Sequence, residues 1–297
     1  MDNRQEDHQK FGSYITLKNI GGSDHSTVYA AMHEPTGQKV ALRVLTITAK
    51  DVNDALIECL DILYDLSTLQ IPNAVQIHDF GNDGETLYIA MTVLNGGTLF
   101  DRMRVRMLRT TPPTLPSIED VLTLVDRMSL ALDTLHQMGM IHGQIQPHSI
   151  MFDDRGDSLL ADIGLTRILK VIYNLDATNS FNMTQYSPPE LWVGVRPSPA
   201  TDQYAFACLI YQLLTGVLPF KGTSIFALMQ AHTNDVAAPP HYIRDSLPDD
   251  LAMVFWRALA KPIDKRYPNM RSFYQDLQRC LSDYPIQETD FFTFSLG

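Results

Sequence analysis

The 297-residue chain has few cysteines, no long apolar run and no excess of positive charge. Its three cysteines, Cys59, Cys208 and Cys280, are odd in number and far apart, so they exclude a complete disulfide framework and indicate reduced thiols in a core. No stretch approaches the ~18 consecutive apolar residues that a membrane-spanning helix requires, and the polar N-terminal stretch lacks an apolar signal segment. These absences predict a cytoplasmic protein with no membrane span.

Basic residues are outnumbered, because 23 lysines and arginines stand against 34 aspartates and glutamates for a formal net charge of −11. This charge repels nucleic acids and anionic membranes unless a local basic patch opposes it. The one candidate patch is a run of four arginines, Arg102, Arg104, Arg106 and Arg109. Because such runs usually form a solvated surface, we expect no nucleic-acid partner.

Apolar residues make up 45% of the chain, which is enough to build a core. Up to about residue 95, β-branched and aromatic residues cluster in short segments between glycine-containing breaks, as they do in antiparallel strands. These segments are residues 14–20, 27–32, 39–45, 75–80 and 86–94. Residues 54–69 instead place apolar side chains at helical spacing, so one helix is predicted among the strands.

The rest of the chain is predicted to be mainly helical. Ser117 followed by Asp120 is an N-cap signature ahead of a helix with apolar residues at three- and four-residue steps. Further helices are predicted at residues 202–214, 223–232, 248–260 and 269–281. A β-rich first third followed by an α-rich remainder predicts the α+β class.

These elements carry motifs whose order resembles the protein kinases, in particular bacterial serine/threonine kinases of the Hanks type. The resemblance runs from about Tyr14 to Leu281. Each motif is weak alone, but about nine in family order make coincidence improbable. They are the loop from Ile20 to Tyr29, Val40-Ala41-Leu42-Arg43, Glu58, His142 to Ser149, Asp162-Ile163-Gly164, Pro188-Pro189-Glu190, Asp202, Tyr211 to Phe220, and Arg266.

The resemblance implies a two-lobed kinase-like fold and a set of positions around a nucleotide. The implied parts are a polar tail at 1–11, a small β-rich N-lobe with one helix at 12–94, a larger α-helical C-lobe at 95–283 and an aromatic tail at 284–297. Asp162 is the implied metal ligand. The implied nucleotide-binding positions, which we regard as vestigial, are Gly21, Val28, Ala41, Arg43, Glu58, Met91, Thr92, Leu94 and Met151.

Four positions that carry phosphoryl transfer in the family hold other residues here. The position of the catalytic base is Gln144, and an amide cannot accept the proton of the substrate hydroxyl. Gln146 stands where a lysine neutralises the transferring phosphate, and Ser149 stands where an asparagine holds metal. Arg43 replaces the strand lysine and keeps its charge, but a planar guanidinium is not interchangeable with a compact ammonium.

The phosphate loop is altered as well. Ser23 and Ser26 occupy two of the three glycine positions, with Asp24 between them. Side chains and an added negative charge both oppose close approach of phosphate. We therefore expect no cofactor, while ATP bound without magnesium, or with weak magnesium binding, stays open.

Residues that hold the family fold are retained, among them His142, Gly164, Asp202 and Arg266. A scaffold kept without its chemistry predicts a pseudokinase, a scaffold or allosteric partner in signalling, which binds a protein such as an active kinase. The alternative is a weakly active or atypical serine/threonine kinase, or another ATP-dependent transferase, that uses Asp162 and Glu58. A nucleotide sensor that binds ATP without metal is intermediate.

Four smaller points remain, and the first and third stay open. Glu58 and Arg43 form either a functional switch pair or an ordinary structural ion pair. His142 is interpreted as a packed core histidine, and the aromatic run from Phe291 to Phe294 packs on the domain itself or docks to a partner. Because Gly143 replaces the arginine that reads an activation-loop phosphate, phosphorylation at the loop's hydroxyls would not be read by that route. The candidate hydroxyls are Thr166, Thr178, Ser180 and Thr184.

Overall fold

A computed structural model of the chain describes residues 8–23, 25–109, 115–174 and 183–283, with only the backbone for 106–109. Asp24, Thr178, Ser180 and the aromatic tail from residue 284 therefore lie outside the described residues. The α-carbon contacts divide the described chain into two units. The smaller unit contains residues up to 70, then 75–94 and the stretch that begins at Ile163, and the larger unit contains the remainder. The lobe boundaries expected from the sequence stay a prediction.

The smaller unit is built on a six-stranded antiparallel sheet in the order β1-β2-β3-β4-β6-β5. The predicted strand segments all lie in or overlap this sheet. Its strands are β1 Lys10–Phe11, β2 Tyr14–Ser23, β3 Ser26–His33, β4 Lys39–Thr46, β5 Ile77–Asp83 and β6 Thr86–Met91. One face carries a buried cluster around Tyr14, Val40 and Leu42.

Helix α1, Val52–Ser67, follows β4 in the smaller unit. Asp51 caps it by accepting a hydrogen bond from the Asp54 backbone N–H, which satisfies one of the donors that a helix start leaves free. The predicted apolar face had six residues, of which Leu56 is only partly buried. The other five are buried: Ala55, Cys59, Ile62, Leu63 and Leu66. A second helix in this unit, α4 Leu165–Ile172, was not predicted.

The larger unit is helical apart from a two-stranded sheet of β7 Ile150–Phe152 and β8 Ser158–Leu160. Short 3-10 turns lie at Pro147–Ser149 and Ile263–Lys265. Its helices are α2 Leu99–Arg109, α3 Ile118–Gln137, α5 Pro189–Trp192, α6 Pro199–Thr215, α7 Ile225–Asn234, α8 Pro240–Ile243, α9 Leu251–Ala258 and α10 Met270–Leu281. The capping box of Ser117 and Asp120 begins α3 as predicted, and α6 is buried almost all round as the core helix of the unit.

One sequence expectation about charge is wrong. Arg102 does not belong to a solvated run, because it is only 3% exposed. Its guanidinium donates to the Gly96 carbonyl from Nε at 3.1 Å and Nη2 at 2.8 Å, and it lies 3.9 Å from the centre of the Phe152 ring. Burial lowers the pKa of Arg102 to about 10. The spacing of a charge run does not reveal which member faces the core.

Two further features of the described residues are the character of the helices and the state of the cysteines. Across the described residues, no helix combines the length and apolarity needed to cross a bilayer. The three cysteines are unpaired, with Cys59 and Cys208 buried and Cys280 partly so. Burial raises the pKa of the Cys59 thiol to about 11, so this thiol is a protonated core group.

Candidate functional site: degenerate catalytic loop and phosphate loop

Strand pairing in the smaller unit gathers several predicted nucleotide positions on one face of the sheet. Val28 on β3 lies opposite Arg43 on β4, and Ala41 lies opposite Met91 on β6. Directly paired residues share a face, as do residues two apart on one strand. Val28, Ala41, Arg43 and Met91 therefore share one face, as the resemblance implies.

The Arg43 side chain has an unexpected partner at the start of β3. Ser23 at the end of β2 pairs with Ser26, and their hydroxyl oxygens lie 3.4 Å apart. Arg43 donates from Nη1 to the Ser26 hydroxyl at 3.1 Å. A serine that replaces a family glycine thus holds the arginine that replaces the family lysine. Neither the serine at position 26 nor the arginine at position 43, taken alone, predicts this hydrogen bond.

The Arg43 and Glu58 ion pair, left open as a switch or a structural pair, is not formed. Glu58 is exposed on α1, and within the described part of the chain it makes no hydrogen bond or ion pair. The buried face of α1 is fixed by Cys59 and Ile62, which leaves Glu58 at its edge. The sequence could not reveal that Glu58 is exposed. The spacing of apolar residues identifies the buried face of a helix but not how the helix is rotated relative to the sheet.

The segment after β6 contains the predicted positions Thr92 and Leu94, both partly buried. Thr92 donates its backbone N–H to the Gln76 carbonyl at 3.1 Å, and its hydroxyl lies 3.0 Å from His78 Nε2. These bonds tie the segment to the strand that begins beside it. Thr92 therefore offers neither group freely to a ligand.

The catalytic loop in the larger unit is anchored by one carboxylate of α6. Asp202 accepts hydrogen bonds from the backbone N–H groups of His142 at 2.9 Å and Gly143 at 2.7 Å, and from His136 Nε2 at 2.8 Å. His142 donates from Nε2 to the Ala161 carbonyl at 2.8 Å and is 1% exposed, which confirms it as a core histidine. The loop is held in place without a catalytic carboxylate of its own.

The Ser149 side chain is hydrogen-bonded within the catalytic loop itself. Ser149 donates its hydroxyl to the Gln146 carbonyl at 2.8 Å and accepts from the Gln146 backbone N–H at 3.1 Å, and it is only 2% exposed. Gln144 is partly buried just before this turn. The Ser149 hydroxyl already donates once and accepts once, so only one of its two lone pairs is left, on a side chain that is almost fully buried and therefore poorly accessible to a metal.

Asp162 lies at the end of the larger unit with a left-handed backbone, φ 62°. In the described residues, no three His, Cys, Asp or Glu side chains are arranged as a metal site. Of the two metal-holding positions that the resemblance implies, Asp162 keeps its carboxylate, whereas Ser149 is engaged within its own turn, and an amide stands in place of the lysine.

Sequence reasoning missed His148, which lies in the same turn. Its imidazole stacks on Phe100 with ring centres 4.1 Å apart and planes 22° from parallel. Burial lowers the pKa of His148, although nearby Asp101 and Asp162 oppose that shift. Met151, the last predicted nucleotide position, is on β7 opposite Leu159 and is partly buried.

The scaffold pair that the resemblance implies is present. Arg266 forms a two-pronged bond with Glu190, with Nη1 to Oε1 at 2.8 Å and Nη2 to Oε2 at 2.7 Å. The guanidinium is 0% and the carboxylate side chain 5% exposed. Thr201 also donates to Glu190, at 3.2 Å. Paired geometry of this kind is what makes a buried charge tolerable.

Comparison with known proteins agrees with this architecture. A family model described as the protein kinase domain matches residues 14–278. The chain belongs to the protein kinase domain family. The predicted two-lobed kinase fold, with an N-terminal sheet and helix and a helical C-lobe, is thereby confirmed.

Named relatives come from bacteria, as the resemblance implied. The chain is 25% identical over 280 residues to serine/threonine-protein kinase PrkC of Bacillus subtilis, covering 94% of this chain and 42% of PrkC. It is 28% identical over 269 residues to serine/threonine-protein kinase PknE of Mycobacterium bovis, covering 90% of this chain and 46% of PknE. The chain therefore spans less than half the length of these relatives.

A solved structure supports the fold independently. The crystal structure of the Mycobacterium tuberculosis PknI kinase domain superimposes with a TM-score of 0.72 at 24% identity, covering 93% of this chain and 98% of that one. At this identity the likeness shows the fold alone. It does not bear on whether the loop of this chain is catalytic.

Proposed function

We propose that this protein kinase domain is a pseudokinase that acts as a scaffold or allosteric binding partner in signalling. The observation that carries the proposal is the catalytic loop. It has Gln144 at the position of the base, and its Ser149 hydroxyl is engaged by Gln146. We further propose that the partner is a protein, such as an active kinase.

Phosphoryl transfer depends on positioning and charge neutralisation by a few groups. Loss of a general base removes roughly 10²- to 10⁴-fold of rate. Gln146 adds no positive charge for the transferring phosphate, and the Ser149 hydroxyl is almost fully buried and already bonded within its own turn. These deficits affect one reaction centre, so their effects compound.

The smaller unit supports the proposal separately. A phosphate clamp needs a cation free to reach a nucleotide, whereas Arg43 is bonded to Ser26. Glu58, the residue that orients the clamp in the family, is turned to solvent. We therefore propose that ATP binds weakly, if it binds at all, and without dependence on magnesium.

The retained scaffold supports a folded, working domain. Asp202 holds the loop backbone, and Arg266 with Glu190 holds the larger unit together. These contacts do not require substrate or metal. A protein that works by binding needs them as much as an enzyme does.

A second candidate is a weakly active or atypical serine/threonine kinase, or another ATP-dependent transferase, that uses Asp162 and Glu58. The relatives favour it, because PrkC and PknE are both named serine/threonine-protein kinases. Asp162 is also retained in its motif. This candidate requires Glu58 and Arg43 to rearrange before nucleotide binds.

A thermal-shift titration separates the two. The protein is titrated with ATP with and without magnesium or manganese, beside Asp162→Ala, because a ligand that binds only the folded state raises Tm by mass action. The pseudokinase predicts no metal-dependent shift and no transfer of label from added [γ-³²P]ATP to the protein. A shift of several degrees that needs metal and disappears in Asp162→Ala, together with autophosphorylation unaffected by Gln144→Ala, would establish the second candidate instead.

A further inference from the structure

A groove between α9 and α10 in the larger unit is not used by the function proposed above. Its volume is about 520 Å³. Met253 of α9 lies in it with its side chain exposed, and Cys280 of α10 lines it with partial exposure. An exposed methionine adapts readily to aromatic groups, so the groove offers an apolar surface to a second segment of chain.

Two arginines of the groove share one carboxylate. Asp276 accepts a hydrogen bond from Arg279 Nη2 at 3.0 Å and lies 3.7 Å from Arg257 Nη1. The Tyr267 hydroxyl also donates to Asp276 at 3.0 Å, and the Tyr267 ring supports the Arg257 guanidinium at 4.1 Å. Asp250 is the other acid that lines the groove. Both arginines stay exposed, and each has five N–H donors, so the pair keeps donors for a further acidic group.

The segment that follows α10 has a matching pattern of acids and aromatics. The aromatic tail, 284–297, lies outside the described residues, and its sequence places Glu288 and Asp290 directly ahead of the run from Phe291 to Phe294. The seven residues before this run span at most ~25 Å, whereas the twelve residues of α10 are ~18 Å long. The run can therefore reach any point beside α10.

Charge distinguishes this groove from a second one, which lies on the other side of α10 against α3. Two acids line the second groove, Glu119 and Asp126, with a single cation, Arg127. Arg127 is bonded to Asp157 at 3.0 Å, and Arg271 is bonded to Asp126. The second groove therefore repels an acidic segment more than the groove with two arginines does.

We propose that the aromatic tail folds back on the larger unit and binds in the groove between α9 and α10. The run from Phe291 to Phe294 covers Met253, and the two acids ahead of the run lie beside the two arginines. The groove is thus a docking site for an acidic and aromatic segment, and this chain supplies the occupant itself. The site uses neither the catalytic loop nor the phosphate loop, so it goes beyond the proposed function.

Cys280 provides a reporter for occupancy of the groove. It lines the groove and is partly exposed, whereas Cys59 and Cys208 are buried. The whole folded chain is treated with N-ethylmaleimide, and the rate at which Cys280 is modified is followed by mass spectrometry. A bound tail slows this reaction, because the reagent reaches the thiol only when the segment opens.

Variants of the tail test this shielding. Phe291→Ser, Phe292→Ser and Phe294→Ser combined should speed modification of Cys280 roughly 10-fold. The matched control moves the thiol to the second groove with Cys280→Ser and Gln278→Cys, since Gln278 lines that groove. In the control, the same three changes should leave the rate unaltered.

Charge reversal is an independent test that does not alter the aromatic run. Glu288→Lys with Asp290→Lys should also speed modification of Cys280, because the tail then repels the arginines. In the Arg279→Glu background the same two changes should slow it, because opposite charges face each other again. Each comparison is made within one background, so the direct effect of position 279 on the thiol cancels.

Three results would overturn the proposal. The first is an equal rate in the parent and in both tail variants, and the second is faster modification of the thiol in the second groove when the phenylalanines are replaced. The third is protection of Cys280 that grows with protein concentration, because the occupant would then be a second copy of the chain.

Discussion

Removing the Arg266 guanidinium should be among the most destabilising single changes in the larger unit. In Arg266→Ala, the Glu190 carboxylate stays buried and loses both of its charged bonds. Only the Thr201 hydroxyl, at 3.2 Å, still donates to it. Breaking a buried pair by deleting one partner costs roughly 3 to 5 kcal/mol, chiefly because a charge is left uncompensated.

Other contacts of Arg266 place the expected cost toward the upper end of that range. The guanidinium also donates to the carbonyls of Ala260 at 2.8 Å and Ala200 at 2.9 Å, and it lies 4.8 Å from the centre of the Tyr204 ring. These two carbonyl groups are partly buried, and in Arg266→Ala they would need water as a replacement hydrogen-bond donor. Replacing both members by apolar residues, Arg266→Met with Glu190→Leu, should recover much of the loss, because no charge is then stranded.

Urea unfolding followed by tryptophan fluorescence measures the effect. The two tryptophans, Trp192 and Trp256, are both in the larger unit, so the signal reports on the unit that contains the pair. At constant m, the change in midpoint gives the change in the free energy of unfolding. The matched control is Arg279→Ala, which removes a surface bond to Asp276 from a side chain that is 75% exposed. It should cost under about 1 kcal/mol.

Two results would contradict the prediction for Arg266→Ala. If Arg266→Ala and Arg279→Ala unfold at the same urea concentration, the Glu190 contact is absent or solvated in solution. A double apolar variant that is no better than Arg266→Ala would show that packing, and not stranded charge, sets the cost.

Three further outcomes are expected. Restoring the family residues should give autophosphorylation or ATP hydrolysis above the parent only when all four changes are combined, because such groups act as a unit; activity from one change alone would contradict this. The four are Arg43→Lys, Gln144→Asp, Gln146→Lys and Ser149→Asn. Gly164→Ala should destabilise more than Gly37→Ala, since both glycines have positive φ but only Gly164 is closely packed, against Leu66; equal melting temperatures would refute that packing. Burial lowers the pKa of His232 to about 4, below its unfolded value, so the unfolded state binds more protons between about pH 6.5 and 4 and stability falls as pH falls through that window. His232→Gln should flatten this dependence in a series of denaturation curves, whereas an unchanged slope would assign it to carboxylates.

Local pattern was sufficient for much of the architecture. Alternation of β-branched and aromatic residues located strands β2 to β6 of the six-stranded sheet but not β1, and apolar spacing identified the buried face of α1 through Cys59 and Ile62. Ser117 with Asp120 marked the start of α3 correctly. These features depend on neighbours within a few residues, so the sequence carries them directly.

The chemistry of the site was only half visible in the sequence. The motif order identified the family and located Gln144 and Ser149, because a substitution in a motif can be read without coordinates. The hydrogen bonds of the Ser149 hydroxyl could not be predicted, because they depend on how the turn folds back on Gln146.

What the sequence determined by itself was the order of elements, the family and the loss of specific residue types, since each is encoded in composition and short spacing. What only the tertiary structure decided was which side chains meet across long separations. Arg43 bonds to Ser26 and not to Glu58, Arg102 is buried, and residues 165–172 form a helix seated on α1. The rotation of a helix against a sheet and the burial of one charge in a run depend on the packing of the whole unit, which no local window of sequence contains.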